Sequence, residues 1–256
     1  MAGTATAVIN KPTWADLATK DPAAARDFYS KVFGWTVDVN PDPQYSGYGL
    51  AKINGEDVAG IGGTQMPDQP TAWSVYIGTD DIATLSRHVE AAGGSVVAPA
   101  FDVGDQGRMA VYADPTGAVI STWQATRMGG FQAHGANSFG WAELNARGVE
   151  KALPFYQNVF GWTLKPSGSG EQPYTEFQVD GESTGGAAEM NPMVPATTPN
   201  YWLVYFGVDD VDTSHRKAID AGARELLAPI DFPGGRMSIV SDPQGAAFGL
   251  MTLAPS

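Results

Sequence analysis

The 256-residue sequence contains no cysteine. That absence excludes disulfides, thiolate metal ligands and cysteine nucleophiles together, and it fits a reducing compartment; the cytoplasm is the expected location. Cationic side chains are also scarce, with 15 Lys and Arg against 28 Asp and Glu, for a formal charge of −13. Gripping a polyanionic backbone takes clustered Lys and Arg, so nucleic acid is not an expected partner. No stretch approaches the ~18 uninterrupted apolar residues of a membrane helix. Met1 to Lys11 lacks the basic start and long apolar run of a secretory signal. Neither a membrane partner nor export is expected.

What the sequence does contain is a repeat. Phe28-Tyr29-Ser30-Lys31-Val32-Phe33-Gly34-Trp35 returns as Phe155-Tyr156-Gln157-Asn158-Val159-Phe160-Gly161-Trp162, 127 positions later. Trp73 to Asp80 returns as Trp202 to Asp209, and Gly107-Arg108-Met109 as Gly235-Arg236-Met237, at offsets of 129 and 128. A spacing that drifts this little marks two copies of one unit with small loop insertions. The expected organisation is a first domain over 8–124, a linker over 125–137 and a second domain over 138–253. With both halves in one chain, a monomer is feasible and a homodimer stays open.

Periodicity fills in the elements. Thr13 to Thr19 alternates as a strand, and Asp21-Pro22 opens a helix as cap and first residue. Ala25, Phe28, Tyr29, Val32 and Phe33 form its buried stripe, and Gly34 suits a left-handed end. Asn54-Gly55 and Asp180-Gly181 read as hairpin turns, and Asp114-Pro115-Thr116-Gly117 and Asp242-Pro243-Gln244-Gly245 as tight turns before a last strand. Asp80-Asp81 precedes a second helix through Leu85 and Val89. Pro154, inside the second repeat's first helix, is expected to kink it or shift its start. Gly168-Ser169-Gly170 reads as a flexible loop, and Gly60-Ile61-Gly62-Gly63 lacks the helix that a phosphate-binding loop needs.

Four βαβββ units in a row, with a helix ending Phe-Tyr-x-x-Val-Phe-Gly-Trp and a closing Asp-Pro-x-Gly hairpin, resemble the vicinal oxygen chelate (VOC) superfamily. That group takes in glyoxalase I, extradiol dioxygenases, fosfomycin-modifying enzymes and bleomycin-resistance proteins. The resemblance implies an α+β fold of two tandem VOC domains, each a pair of βαβββ units curled into a cup-like mixed sheet with helices outside. It also implies where metal ligands stand in metal-dependent members: seven residues before the helix-opening Asp, and seven after the Asp of Asp-Pro-x-Gly. Counted from Asp21, Asp80, Gly148 and Asp209, the first set falls on Trp14, Trp73, Trp141 and Trp202; counted from Asp114 and Asp242, the second falls on Ser121 and Gly249. None of the six suits a metal. His88 and His215 on helices and His134 in the linker are expected to be solvated, so neither a metal nor a cofactor is expected.

Pleat alternation supplies the expected site. If each Trp points into its cup, Asp16, Glu143, Asn145, Val75, Ile77, Val204 and Phe206 point in too, while Ser74, Tyr76, Leu203 and Tyr205 face the helices. Trp14, Trp73, Trp141, Trp202, Trp123, Phe206, Met109 and Met237 are then ligand-binding candidates, suited to an aromatic or cationic small molecule. Asp16 and Glu143 are candidate acid–base groups, with Arg108 and Arg236 as their partners. The expected function is small-molecule binding of the bleomycin-resistance kind. The alternatives are a glyoxalase-like or dioxygenase-like enzyme with its metal at other positions such as Glu189, Asp16 or Glu143, and metal-free acid–base catalysis.

Overall fold

The computed structural model describes residues 8–45, 47–168 and 173–253; the reading of Ser169 and Gly170 as loop lies outside them. The first repeat runs β1 (Pro12–Thr19), α1 (Pro22–Phe33), β2 (Thr36–Val39), β3 (Gly49–Ile53), β4 (Glu56–Gly63), β5 (Ala72–Gly78), α2 (Ile82–Ala91), β6 (Ser95–Val103), β7 (Gly107–Ala113) and β8 (Val119–Ala125). The second runs β9 (Phe139–Ala146), α3 (Leu153–Phe160), β10 (Thr163–Ser167), β11 (Tyr174–Val179), β12 (Glu182–Glu189), β13 (Tyr201–Gly207), α4 (Val211–Asp220), β14 (Arg224–Phe232), β15 (Gly235–Ser241) and β16 (Ala247–Leu253). Each repeat forms a mixed eight-stranded sheet that does not close, ordered β2-β3-β4-β1-β5-β8-β7-β6 and β10-β11-β12-β9-β13-β16-β15-β14. The fold class is therefore α+β, with four βαβββ units in tandem.

Local chemistry sets the helix ends. Asp21 accepts from the Ala24 N–H at 3.0 Å with Pro22 behind it, and Gly34 closes α1 at φ 75°, a conformation costly for a residue with a Cβ. The kink expected at Pro154 is resolved as a shifted start. A short 3₁₀ turn, Val149–Lys151, precedes α3, which leaves Pro154 in the first turn where its missing N–H has no partner to lose. The N-caps of α2 and α4 are Asp81 and Asp210: Asp81 accepts from Ala83 and Thr84, and Asp210 from Thr213. Asp80 and Asp209, the expected helix openers, each stand one residue before the cap.

The compact units of the molecule cut across the repeats. One comprises Met1–Trp14, Val75–Gly130 and Ala142–Trp202; the other comprises Ala15–Ser74, Phe131–Trp141 and Leu203–Ser256. Each takes half of its core from each repeat. In the second unit Tyr29, Phe33 and Trp35 pack with Trp73, Phe206 and Phe248, at centroid separations such as 5.0 Å for Trp73–Phe206 and 5.1 Å for Phe33–Phe206. In the first, Tyr156, Phe160 and Trp162 pack with Phe177 and Trp202. Edge-on and offset pairs of this kind contribute about 0.5–1.5 kcal/mol each beyond their area.

One hydrogen-bond relay runs through each core. The Trp73 indole N–H donates to the Tyr29 hydroxyl at 2.9 Å, and that hydroxyl donates to the buried Asp242 carboxylate at 3.1 Å. The counterpart runs from Trp202 to Tyr156 at 2.9 Å and on to Asp114 at 2.8 Å. Both aspartates also accept turn N–H groups, from Gln244 and Ala246 or from Thr116 and Ala118, so neither buried charge is left unsatisfied. Burial first, then the aspartate charge, pushes Tyr29 and Tyr156 well above the ordinary phenol value. Among the described residues no helix is long and apolar enough to cross a membrane.

Candidate functional site

The relay overturns part of the expected site. Trp73 and Trp202 bond to tyrosines of α1 and α3, and Phe206 packs on Phe33 and Trp35, so all three face the helices. Val75, Ile77 and Val204 share that side by alternation, while Ser74, Tyr76, Leu203 and Tyr205 take the other. The reversal follows from the one-residue error at the caps, because a slip of one along a strand exchanges its faces. Seven before the true caps, Asp81 and Asp210, stand Ser74 and Leu203.

The face assigned to β1 and β9 holds. Ala15 and Leu17, like Ala142 and Leu144, are fully buried, and Asp16 and Glu143 lie half-buried on the opposite face. Trp14 is buried and Trp141 half-buried. Trp123 is buried with its indole N–H on the Met128 carbonyl at 2.7 Å, and Met109 is its cross-strand partner. Met237 pairs with Met251 across β15 and β16.

The arginines do not partner these acids. Arg108 binds Asp102, opposite it on β6, at 2.8 Å. Arg236 binds Asp231, opposite it on β14, and Asp212 on α4, both at 2.8 Å. A cross-strand carboxylate in register outcompetes one on a distant strand, because the side chain then needs no extra ordering. Glu189 is also engaged: its carboxylate accepts the Gly148 and Val149 N–H groups at 2.9–3.0 Å and caps the 3₁₀ turn. His215, expected to be solvated, is buried with Nε2 2.9 Å from Glu225.

What stands beside the acids is tyrosine. Asp16 is paired with Gly60 on β4, and a Cβ on Gly60 would overlap the Tyr48 hydroxyl and lie 3.0 Å from Asp16 Cβ. The Tyr48 ring also covers Gly62. In the second repeat Glu143 is paired with Gly186 on β12, and a Cβ there would overlap the Tyr174 hydroxyl. Each acid thus has a phenol laid over the glycine next to it, a contact only glycine permits. Sequence reading missed both tyrosines, although Tyr48 and Gly60 recur as Tyr174 and Gly186 at a common offset of 126.

The second copy is more elaborate. Asn145 donates to Glu143 Oε1 at 3.0 Å. Tyr201 opens β13 on the other flank of β9; burial first, and the Glu143 charge second, raise its hydroxyl above the ordinary value, with Arg147 lowering it in part. Arg147 itself donates to the Val194, Pro195 and Thr198 carbonyls and fastens the loop before β13. The first repeat has Ala18 and Ala72 where the second has Asn145 and Tyr201.

A half-open pair of βαβββ units per repeat, with these strand orders, is the architecture of the vicinal oxygen chelate proteins. The chain belongs to the Glyoxalase/Bleomycin resistance protein/Dioxygenase superfamily, whose sequence profile matches residues 11–122 and again 138–250. Among its relatives are the "Putative glyoxylase CFP32" of Mycobacterium bovis, 40% identical over 95% of both chains, and the "Anthracycline biosynthesis protein DnrV" of Streptomyces peucetius, 35% identical over 94% of this chain and 93% of that one. Two solved structures share the fold. The Mn(II)-bound glyoxalase of Novosphingobium aromaticivorans has a TM-score of 0.68 at 15% identity, covering 95% of this chain and 82% of that one. The 2,2',3-trihydroxybiphenyl 1,2-dioxygenase of Sphingomonas wittichii has 0.65 at 15%, covering 96% and 91%.

The residues present do not fit the metal that metal-dependent members hold. The corresponding positions carry Trp14, Ser74, Trp141, Leu203, Ser121 and Gly249, and the Tyr205 ring lies over Gly249 where a carboxylate would have to emerge. Among the described residues no three His, Asp or Glu side chains converge. A divalent ion needs such a set.

Proposed function

We propose that the protein binds a small organic molecule through the Asp16–Tyr48 and Glu143–Tyr174 pairs rather than through a protein-held metal. The observation that carries this is the exchange at the family's ligand positions: donors are replaced by Trp, Ser, Leu and Gly, while in both repeats a carboxylate of the first strand, on β1 or β9, and a tyrosine just before β3 or at the start of β11 flank the same glycine of β4 or β12. A carboxylate flanked by aromatic rings gives a small molecule one polar anchor and apolar walls, the usual composition of a ligand site. The Streptomyces relative, named for anthracycline biosynthesis, supports a ligand with an extended ring system.

A second reading is favoured by the mycobacterial relative's name: a glyoxalase-like enzyme working by acid–base chemistry. Asp16 or Glu143 would take a proton from a bound substrate while the neighbouring phenol donates a hydrogen bond to the oxygen that gains charge. Titration of intrinsic Trp fluorescence with a panel of aromatic metabolites, using chelator-treated protein, tests the binding reading. Saturable changes are expected; no response from any compound overturns it. Turnover that survives chelation and is lost in Asp16→Asn or Glu143→Gln would select the enzyme.

A further inference from the structure

We infer that His215 and Ser238 hold one internal water molecule between them beneath α4, at a site independent of the ligand reading above. His215 is 7% exposed and Ser238 0%, and neither His215 Nδ1 nor Ser238 Oγ reaches a hydrogen-bonding group of the protein. The other ring nitrogen is engaged, with Nε2 2.9 Å from Glu225 Oε2. Protein interiors rarely leave such atoms without partners, and a water shared by two or more polar groups is the usual remedy. Both atoms belong to one interface, where α4 packs on β15. Arg236, Ser238 and Val240 alternate onto the same face of β15, and Arg236 bonds Asp212 of α4 at 2.8 Å. One helical turn later His215 bonds Glu225, the cross-strand partner of Val240. Ser238 stands midway between these two contacts, under the turn of helix that joins them.

The first repeat closes the same interface with its own side chains. Where the second has His215, Glu225, Ser238 and Val240, the first has Ser86, Val96, Ala110 and Tyr112. Ser86 Oγ donates to the Ile82 carbonyl and lies 2.8 Å from the Tyr112 hydroxyl, so both hydroxyls are satisfied directly. Val240 offers no hydroxyl in place of Tyr112, while His215 and Ser238 each bring a polar atom that Ser86 and Ala110 do not. The second repeat thus exchanges a direct hydroxyl pair for two atoms that need a bridge. Water suits both, because it can donate or accept at each, whichever way the imidazole carries its hydrogens. An apolar cavity stays dry, but one with polar groups on two sides does not.

A crystal structure of the full chain that resolves ordered waters is the direct test. One water is expected within about 3.2 Å of both His215 Nδ1 and Ser238 Oγ. No water at that place, a water touching only one of the two atoms, or a direct hydrogen bond between them would each overturn the assignment. In solution, nuclear magnetic resonance of the full chain carrying nitrogen-labelled histidine follows the same site. Ser238→Ala installs the residue that the first repeat has at Ala110 and removes one of the water's two holders. The His215 Nδ1 resonance is expected to shift in that variant, while those of the exposed His88 and His134 stay in place. An unmoved His215 resonance counts against the bridge. Should Ser238→Ala fail to fold, the crystal structure of the unmodified protein decides alone.

Discussion

Tyr29 donates its hydroxyl hydrogen to Asp242, 213 positions further along the chain, at 3.1 Å. The Tyr156 hydroxyl meets Asp114 in the same way, and each tyrosine also receives a tryptophan N–H. The most recognisable sequence motif of the repeat is therefore half of a buried polar link whose other half lies in the opposite repeat.

Removing that hydroxyl should destabilise the fold without touching the site. Tyr29→Phe and Tyr156→Phe each leave a buried carboxylate short of one donor and an indole N–H short of its acceptor, at a cost of about 1–3 kcal/mol or somewhat more. Urea unfolding followed by circular dichroism measures the loss. Similar values for the two variants are expected, because the two relays match in length and partners.

Alkaline pH should find the same residues. Both phenols have folded-state values well above the ordinary one, so the stability they contribute is fully present below about pH 10 and is lost as pH rises through the higher folded values. Melting temperature is expected to fall above that point, and less steeply in the double Tyr→Phe variant. At the acid end the sign is opposite. Hydrogen bonds from Thr84, Thr213 and Arg236 hold Asp81, Asp210 and Asp212 below the usual carboxylate value, so their contribution is present above about pH 4 and disappears as pH falls through the lowered values.

Adding one methyl group next to either acid should displace a tyrosine. In Gly60→Ala or Gly186→Ala the new Cβ overlaps the Tyr48 or Tyr174 hydroxyl, and overpacking of this kind costs about 1–3 kcal/mol. Pairing Gly186→Ala with Tyr174→Ala should recover much of the loss, a coupling that a double-mutant cycle reads directly.

Substituting the arginines should leave ligand affinity unchanged. Arg108→Ala and Arg236→Ala break pairs with Asp102, Asp212 and Asp231, all distinct from Asp16 and Glu143. Titration of intrinsic Trp fluorescence with the same panel of aromatic metabolites checks both variants.

Much of this architecture is written locally. The Asp21-Pro22 start, the Gly34 end, the Asn54-Gly55 turn and the repeat spacing depend on neighbouring residues, and the structure has each where the pattern puts it. Faces on β5 and β13 were not legible, because Asp80-Asp81 and Asp209-Asp210 each offer two caps and the choice between them flips the strand. The long-range partners were hidden for another reason. An Asp in a tight turn satisfies its local role with backbone N–H groups, and nothing in the turn announces a tyrosine from the other repeat. Tyr48 and Tyr174 sit at loop ends without a motif; only their shared spacing to Gly60 and Gly186 carried a signal.

The interleaving of the repeats bears on how such a chain comes to exist. A single repeat would bury neither its tyrosine nor its turn aspartate against the right partner, so standing alone it would complete each core by associating with a second copy. Joining two copies covalently turns that encounter into an intramolecular one, independent of protein concentration. It also frees the copies from identity: once each is assured of its partner, one acid can remain Asp16 with alanines around it while the other becomes Glu143 between two tyrosines.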